Sequence, residues 1–108
     1  MRRETQSGYS PGIQKPLAVR ALRKSLIRRR ITEYLFDISP NSSYTSEIAH
    51  HLKTTPSNVI GAIRGMNKRY REDESLIYLD IVEEHHEKNF KMYKITDFGK
   101  ELLTSLKE

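Results

Sequence analysis

The sequence contains no cysteine, which excludes both a disulfide framework and a zinc site built on thiolate ligands. It has no apolar run that approaches the roughly 20 residues needed for a transmembrane helix. The basic N-terminus is not followed by the apolar core of a secretory signal. From these absences, and from a length of 108 residues that suits one domain, we expect a cytoplasmic protein with no membrane partner.

Groups that could carry catalysis or hold a metal ion are also scarce. The four histidines form two adjacent pairs, His50-His51 and His85-His86. Neighbouring residues of a helix point about 100° apart, so His50 and His51 are poorly placed to share one metal ion. The sequence shows no phosphate-binding loop, no Ser/His/Asp grouping and no carboxylate pair. It therefore predicts a protein that is not an enzyme and that uses no metal or cofactor.

Positive charge is present in excess and is unevenly distributed. Residues 1–36 hold nine basic and two acidic residues, residues 37–74 hold five of each, and residues 75–108 hold five basic and seven acidic residues. A local excess of positive charge attracts polyanions through steering and counterion release. The pattern favours a nucleic-acid partner; the alternative interpretation is a solvated basic segment that only improves solubility.

Hydrophobic periodicity predicts a flexible tail over residues 1–16 and a single domain over residues 17–108. The predicted elements of the domain are a helix over 17–38, a very short strand at Tyr44, a helix capped by Thr45, a helix over about 56–71, strands over 77–82 and 90–95, a polar connection over 85–89 between them, and a final helix capped by Thr96. This order defines an α+β class that is mostly helical.

The first predicted helix carries two apolar stripes. Its second half presents one stripe, as expected for a helix against a core. Val19, Leu22 and Leu26 form another stripe, which points to nearly the opposite side. Two explanations remain open: the second stripe is the interface of a homodimer, or a break near Ser25 folds the first half of the helix back onto the domain.

Residues 44–66 resemble the helix-turn-helix core of winged-helix transcription regulators. The resemblance rests on the Ile48-Ala49 step and on the later apolar residues Val59, Ile63 and Met66. Between the two helices lies the turn Lys53-Thr54-Thr55, after which Thr55 is expected to cap the second helix and Pro56 to occupy its first position. These regulators usually have Gly where this sequence has Lys53.

The stretch Tyr93–Leu103 is similar to the junction between a strand and a helix in MarR-, ArsR- and PadR-like regulators, usually Tyr-x-Leu-Thr-x-x-Gly-x-x-Leu. The two resemblances imply a winged helix-turn-helix fold, with a three-helix core, a β-hairpin wing and a C-terminal helix. They also imply a small prokaryotic or archaeal regulator that binds double-stranded DNA in a sequence-specific way.

The resemblance implies that the helix over about 56–71 enters the major groove, which is wide enough for one α-helix. Base contacts are then expected from Ser57, Asn58, Gly61 and Arg64. Asn pairs well with adenine and Arg with guanine, so Asn58 and Arg64 are the main candidates. Phosphate contacts are expected from Thr45, Ser46, Lys68, Arg69, Arg71, Lys88 and Arg29.

Each assignment has a structural alternative. Asn58, near a helix start, can bond to its own backbone, and Gly61 can serve close packing. The predicted wing is almost neutral, since residues 83–91 hold three acidic residues and two lysines. Two other functions therefore remain open: an RNA- or ribosome-binding winged helix, and a winged-helix adaptor between proteins.

Overall fold

Five α-helices and a three-stranded antiparallel sheet make up residues 11–66 and 71–107, which are the residues that the computed structural model of this chain describes. The elements in chain order are α1 (Pro11–Lys24), α2 (Leu26–Ile38), β1 (Ser43–Tyr44), α3 (Thr45–Leu52), α4 (Pro56–Arg64), a short 3-10 turn (Glu72–Glu74), β2 (Val82–Glu87), β3 (Phe90–Ile95) and α5 (Asp97–Lys107). The sheet has the order β1-β3-β2. The predicted α+β class, mostly helical, is confirmed.

The N-terminal helical segment is broken at Ser25. This residue has an extended backbone (φ −135°, ψ 114°), and its Oγ accepts a hydrogen bond from the backbone N–H of Arg28. The two halves are therefore separate helices, and α1 packs against α2 and α5. The break that folds the first half back is confirmed. Because α1 begins at Pro11, the prediction of a tail is wrong for residues 11–16, and residues 1–10 lie outside the described residues.

The apolar stripe of α1 belongs to the core of its own chain. Leu22 is only 1% exposed, and Val19 is partly buried against the same core. The assignment of Leu22 to a dimer interface is wrong, because the break at Ser25 allows α1 to pack on the other helices of the domain. Leu26, which lies beyond the break, is 70% exposed and shares no surface with Leu22.

One core joins the helices and the sheet. Its largest fully buried side chains include Leu22, Ile31, Leu35, Ile48, Val59, Ile63, Tyr93 and Leu102. The predicted apolar spacing places Val59 and Ile63 on the inner side of α4, and Leu102 on the inner side of α5. Their removal from water is the main favourable contribution to folding.

The two ends of helix α3 differ from the sequence prediction or explain it. The N-cap lies one residue earlier than predicted, and the C-cap accounts for a position that is usually Gly. Tyr44, not Thr45, is the N-cap, and its backbone N–H donates to Glu47 Oε1 at 3.1 Å. At the other end Lys53 adopts the left-handed conformation (φ 57°, ψ 48°). Glycine is the usual residue in that conformation, which accounts for the Gly that Lys53 replaces.

Helix α4 begins as predicted and ends early. Thr55 Oγ1 accepts a hydrogen bond from a backbone N–H in the first turn, and Pro56 occupies the first helical position. The last helical residue is Arg64, because Gly65 follows with φ 87° and turns the chain away. The prediction that this helix continues to residue 71 is therefore wrong.

The segment after the 3-10 turn closes the end of α4. The backbone N–H groups of Leu76 and Ile77 donate to the carbonyl oxygens of Ala62 and Ile63, at 3.1 and 3.0 Å. The last carbonyls of a helix have no partner within it, and this segment supplies one. The strand predicted over 77–82 is wrong, because the backbone groups that would form its ladder are used on α4 and in local turns.

Strands β2 and β3 form a regular hairpin, in which Glu84 lies opposite Tyr93. The bounds predicted for the second strand are confirmed. The first strand starts only at Val82 and includes both His85 and His86, which were predicted to lie in the connection. The connection itself is a tight turn at Lys88, which has φ 58°.

Helix α5 is held against the hairpin by Thr96. As predicted, Thr96 caps the helix: its Oγ1 accepts a hydrogen bond from the backbone N–H of Gly99 at 2.9 Å. The same hydroxyl contacts the carbonyl oxygens of Asp80 and Ile81, at 2.6 and 3.0 Å. One side chain therefore fixes the start of α5 to the entry of the hairpin.

Glu74 connects the 3-10 turn to the N-terminal helices. Its carboxylate accepts a hydrogen bond from Lys24 Nζ at 2.8 Å and lies 3.7 Å from Arg28 Nη2. The hydrogen bond from Lys24 is the main cause that holds the pKa of Glu74 below its ordinary value, with smaller contributions from the charges of Lys24, Arg28 and Arg71.

We predict that Glu74 stabilises the fold at neutral pH and loses this effect in acid. A carboxyl whose pKa is lower in the folded state contributes fully above its unfolded pKa, and the contribution disappears as the pH falls through the folded pKa. The free energy of unfolding of Glu74→Gln, measured with urea, should be lower than that of the native sequence at pH 7. The difference should shrink at acidic pH, as the pH falls through the lowered folded pKa of Glu74. An equal difference at both pH values would contradict the prediction, and Glu101→Gln, on an exposed site, is the control.

We also predict that the two leucines on either side of Ser25 contribute very differently to the free energy of unfolding. Leu22→Ala should lower the free energy of unfolding by about 2–5 kcal/mol, because it opens a cavity in the core. Leu26→Ala should change it by less than about 0.5 kcal/mol. Urea titration measures both, and a similar loss for the two variants would show that α1 is not packed as described.

Candidate nucleic-acid interface

The predicted base-contacting residues of α4 do not share one environment. Ser57 and Arg64 are exposed, Asn58 is half-buried and Gly61 is buried. Ser57 and Arg64 are two helical turns apart, so they lie on the same side of α4 at a spacing of about 10 Å. The assignment of Gly61 to a base contact is wrong, because its own chain covers it.

Asn58 takes part in the local structure at the start of α4. Its side-chain Nδ2 donates to Thr54 Oγ1 at 3.0 Å, and its backbone N–H donates to Thr55 Oγ1 at 3.2 Å. The side chain also borders a groove between the start of α2 and the turn that joins α3 to α4. The residues lining this groove are Leu26, Ile27, Arg30, Leu52, Lys53, Thr54 and Asn58.

Arg64 is tied to the hairpin. Its Nη1 donates to Glu84 Oε1 at 2.9 Å, while 41% of its side chain stays exposed. The other carboxylate oxygen of Glu84 lies 3.2 Å from His86 Nε2. Both oxygens of Glu84 are thus engaged, and α4 and β2 are joined through side chains far apart in the sequence.

The Tyr93 hydroxyl is buried beside this pair. Among the residues that the structure describes, no partner is aligned well enough for a hydrogen bond with this hydroxyl. Burial is the main cause that raises the pKa of Tyr93, while the Tyr93 hydroxyl and the charge of Glu84 together raise the pKa of Arg64. Burial opposes the charged form of Glu84, but the bond with His86 and the attraction of Arg64 outweigh it and lower the pKa of Glu84. Arg64 and Glu84 are therefore both charged at neutral pH.

The opposite face of the hairpin has its own contacts between polar side chains. Glu83 Oε2 lies 2.8 Å from His85 Nε2 and 3.7 Å from Lys94 Nζ. At the tip, Lys88 and Phe90 are exposed, and the Phe90 ring packs edge-on against Tyr44 at 5.4 Å between centroids. The hairpin thus neutralises much of its own charge and presents one lysine and one aromatic ring at its end.

The remaining predicted phosphate contacts differ in their surroundings. Ser46 is exposed and Thr45 is half-buried at the start of α3. Arg29 pairs with Glu33 at 3.2 Å and Arg71 with Asp73 at 3.0 Å, so both guanidinium groups are partly neutralised within their own segments. Lys68 and Arg69 lie outside the described residues.

Sequence reasoning missed several residues of this surface. Lys53 borders the groove beside Asn58, and the departure from Gly at this position was a usable signal for it. Glu84, His86 and Tyr93 surround Arg64, but no spacing or motif in the sequence connects the hairpin to the end of α4.

Within the described ranges, no helix has the length and apolar character to cross a membrane. The same part of the chain contains no group of three or more His, Asp or Glu side chains arranged to hold a metal ion.

The molecule is a small α+β protein in which the Arg64–Glu84 ion pair joins α4 to the hairpin. The chain belongs to the EarA-like family, whose model matches residues 18–106. It is 41% identical over 93 residues to an uncharacterized protein of Methanocaldococcus jannaschii, and the alignment covers 86% of this chain and 84% of that protein. The family match runs from α1 into α5, so the surface described above lies inside it.

We predict that Gly65→Ala will destabilise the end of α4. Gly65 has φ 87°, and an added Cβ would lie 2.5 Å from Glu72 Cα, so both strain and overlap oppose the change. The expected loss is at least about 1 kcal/mol in the free energy of unfolding by urea. Ser57→Ala, on an exposed site of the same helix, is the control, and equal stability of the two variants would contradict the geometry at Gly65.

Proposed function

We propose that the protein is a winged helix-turn-helix regulator that binds double-stranded DNA in a sequence-specific way, with α4 in the major groove and the β2–β3 hairpin as the wing. The order of elements supports this proposal. Two short helices, α3 and α4, flank a three-residue turn, and the hairpin and α5 follow them. Such a regulator acts on the chromosome, in the cytoplasm of a prokaryotic or archaeal cell.

The observation that carries the proposal is the position of Arg64. Its partly exposed side chain lies at the end of α4 and contacts the hairpin, so one residue connects the two elements that a winged helix applies to DNA. Ser57 is exposed on the same side of α4. The diameter of an α-helix, about 10–12 Å with its side chains, suits a groove about 12 Å wide.

Phosphate binding would come from several basic residues around α4. Lys53 and Arg30 border the groove at its start, and Lys88 projects from the hairpin tip. The hairpin neutralises much of its own charge, so the excess of basic residues within 1–36 has to supply a large share of the attraction.

RNA binding is the second candidate, and the exposed ring of Phe90 favours it. Phe90 is 56% exposed and is supported edge-on by Tyr44. Aromatic side chains of this kind stack on unpaired bases, whereas they have less to contact in an intact major groove.

Competition binding distinguishes the two candidates. The full chain is first used to select the duplexes that it binds from a pool of random DNA. Binding to the enriched duplex is then competed with RNA of the same length and sequence. A DNA regulator should prefer the duplex, and its affinity should fall steeply with salt. Preference for the RNA would support the second candidate, and binding to neither nucleic acid would contradict both.

We predict that Arg64→Ala and Lys88→Ala will have different effects on binding to the selected duplex. Arg64→Ala should reduce discrimination at one base pair by about tenfold, within the range for loss of an arginine–guanine contact. Lys88→Ala should weaken binding to all duplexes alike and reduce the salt dependence. Fluorescence anisotropy with duplexes substituted at each position measures both, and an equal loss on every duplex for Arg64→Ala would contradict its contact with a base.

A further inference from the structure

Glu84 is an acidic residue on a surface that is proposed to approach phosphate groups. A free carboxylate in that position would repel DNA, so its presence calls for a physical explanation. The side chain is only 22% exposed and lies between Arg64 on α4 and His86 on its own strand. Glu84 is therefore not a solvated charge.

The geometry around Glu84 restricts the direction of Arg64. Oε1 of Glu84 accepts the hydrogen bond from Arg64 Nη1 at 2.9 Å, and Oε2 is held at 3.2 Å by His86 Nε2. A carboxylate held on both oxygens has a defined orientation, and so does a planar guanidinium bonded to it. The backbone of Glu84 is in turn fixed by its pairing with Tyr93 in the hairpin.

We propose that Glu84 is a positioning residue that orients the Arg64 guanidinium toward one base pair, so that the hairpin sets the specificity of α4. This inference rests on the proposed function, since it concerns how the same surface distinguishes DNA sequences. An arginine has five N–H donors in a fixed fork. Glu84 engages Nη1 and the Tyr93 hydroxyl lies beside the same group, so the donors that neither engages are the ones available to a guanine.

Pre-orientation has a physical advantage for an arginine at the end of a helix. A long side chain loses rotamer freedom when it is ordered at an interface, at a cost of about 0.5–1.5 kcal/mol. The bond with Glu84 orders the guanidinium before DNA arrives, so the correct base pair gains more than the others. The competing interpretation is that Glu84 only sequesters Arg64 and weakens binding to every sequence.

The test uses the full chain and compares Glu84→Ala with Glu84→Gln on the selected duplex and its single-position variants. Gln retains an oxygen acceptor for Arg64, whereas Ala removes it. We expect Glu84→Ala to reduce discrimination about tenfold at the base pair that Arg64→Ala also affects, and Glu84→Gln to retain most of it. Thermal unfolding of each variant confirms that the proteins compared are folded.

Glu83→Ala is the matched control. It removes the same unit of negative charge from the same strand, but Glu83 points to the other face of the hairpin, toward His85 and Lys94. Glu83→Ala should strengthen binding to all duplexes slightly and leave the base preference unchanged. If Glu84→Ala does only the same, Glu84 is a sequestering or repelling charge and the positioning role is overturned.

A second measurement does not depend on DNA. In the nuclear magnetic resonance spectrum of the free protein, the Nη signals of Arg64 should show hindered rotation in the native sequence and in Glu84→Gln, and averaged signals in Glu84→Ala. Averaged Arg64 signals in the native protein would overturn the positioning role even if it binds DNA. Restrained signals in a protein that binds no duplex would overturn the proposed function and the base-specific role with it.

Discussion

The end of α4 is the constraint on which the candidate surface depends. Gly65 turns the chain after Arg64, and the backbone N–H groups of Leu76 and Ile77 then bond to the last carbonyls of the helix. The returning segment leads directly into β2, so the hairpin starts beside the end of α4. Arg64 and Glu84 meet because of this backbone closure, and their 2.9 Å ion pair is its consequence.

A second set of contacts fixes the position of the N-terminal helices. The break at Ser25 allows α1 to bury Leu22 in the core, and Glu74 connects Lys24 and Arg28 to the chain just before β2. The N-terminal helices thus contact α4 directly, through α2, and are joined to the segment that leads into β2. A helix supported in this way can hold a defined orientation against a partner, which is what recognition by a short helix requires.

Much of the fold could be predicted because it follows from local rules. The Thr55 cap with Pro56 at the first helical position, the strand Phe90–Ile95 and the Thr96 cap are set by neighbouring residues. The strand over 77–82 was wrong because Leu76 and Ile77 bond to another element, which no local pattern reveals. The candidate site was predicted only in part: Ser57 and Arg64 are exposed, but Gly61 is buried, and nothing in the sequence indicated that Glu84 lies against Arg64.

Sequence by itself determined the α+β class, the helix pair around Lys53-Thr54-Thr55 and the excess of positive charge at the N-terminal end, since each depends on periodicity, capping or composition. Only the tertiary structure decided that α1 covers its own core, that α4 stops at Arg64, and that the hairpin holds this arginine. The physical reason is that burial and ion pairing between distant segments depend on which segments lie next to each other in the folded chain. Packing of the whole molecule decides this, not the neighbouring residues in the sequence.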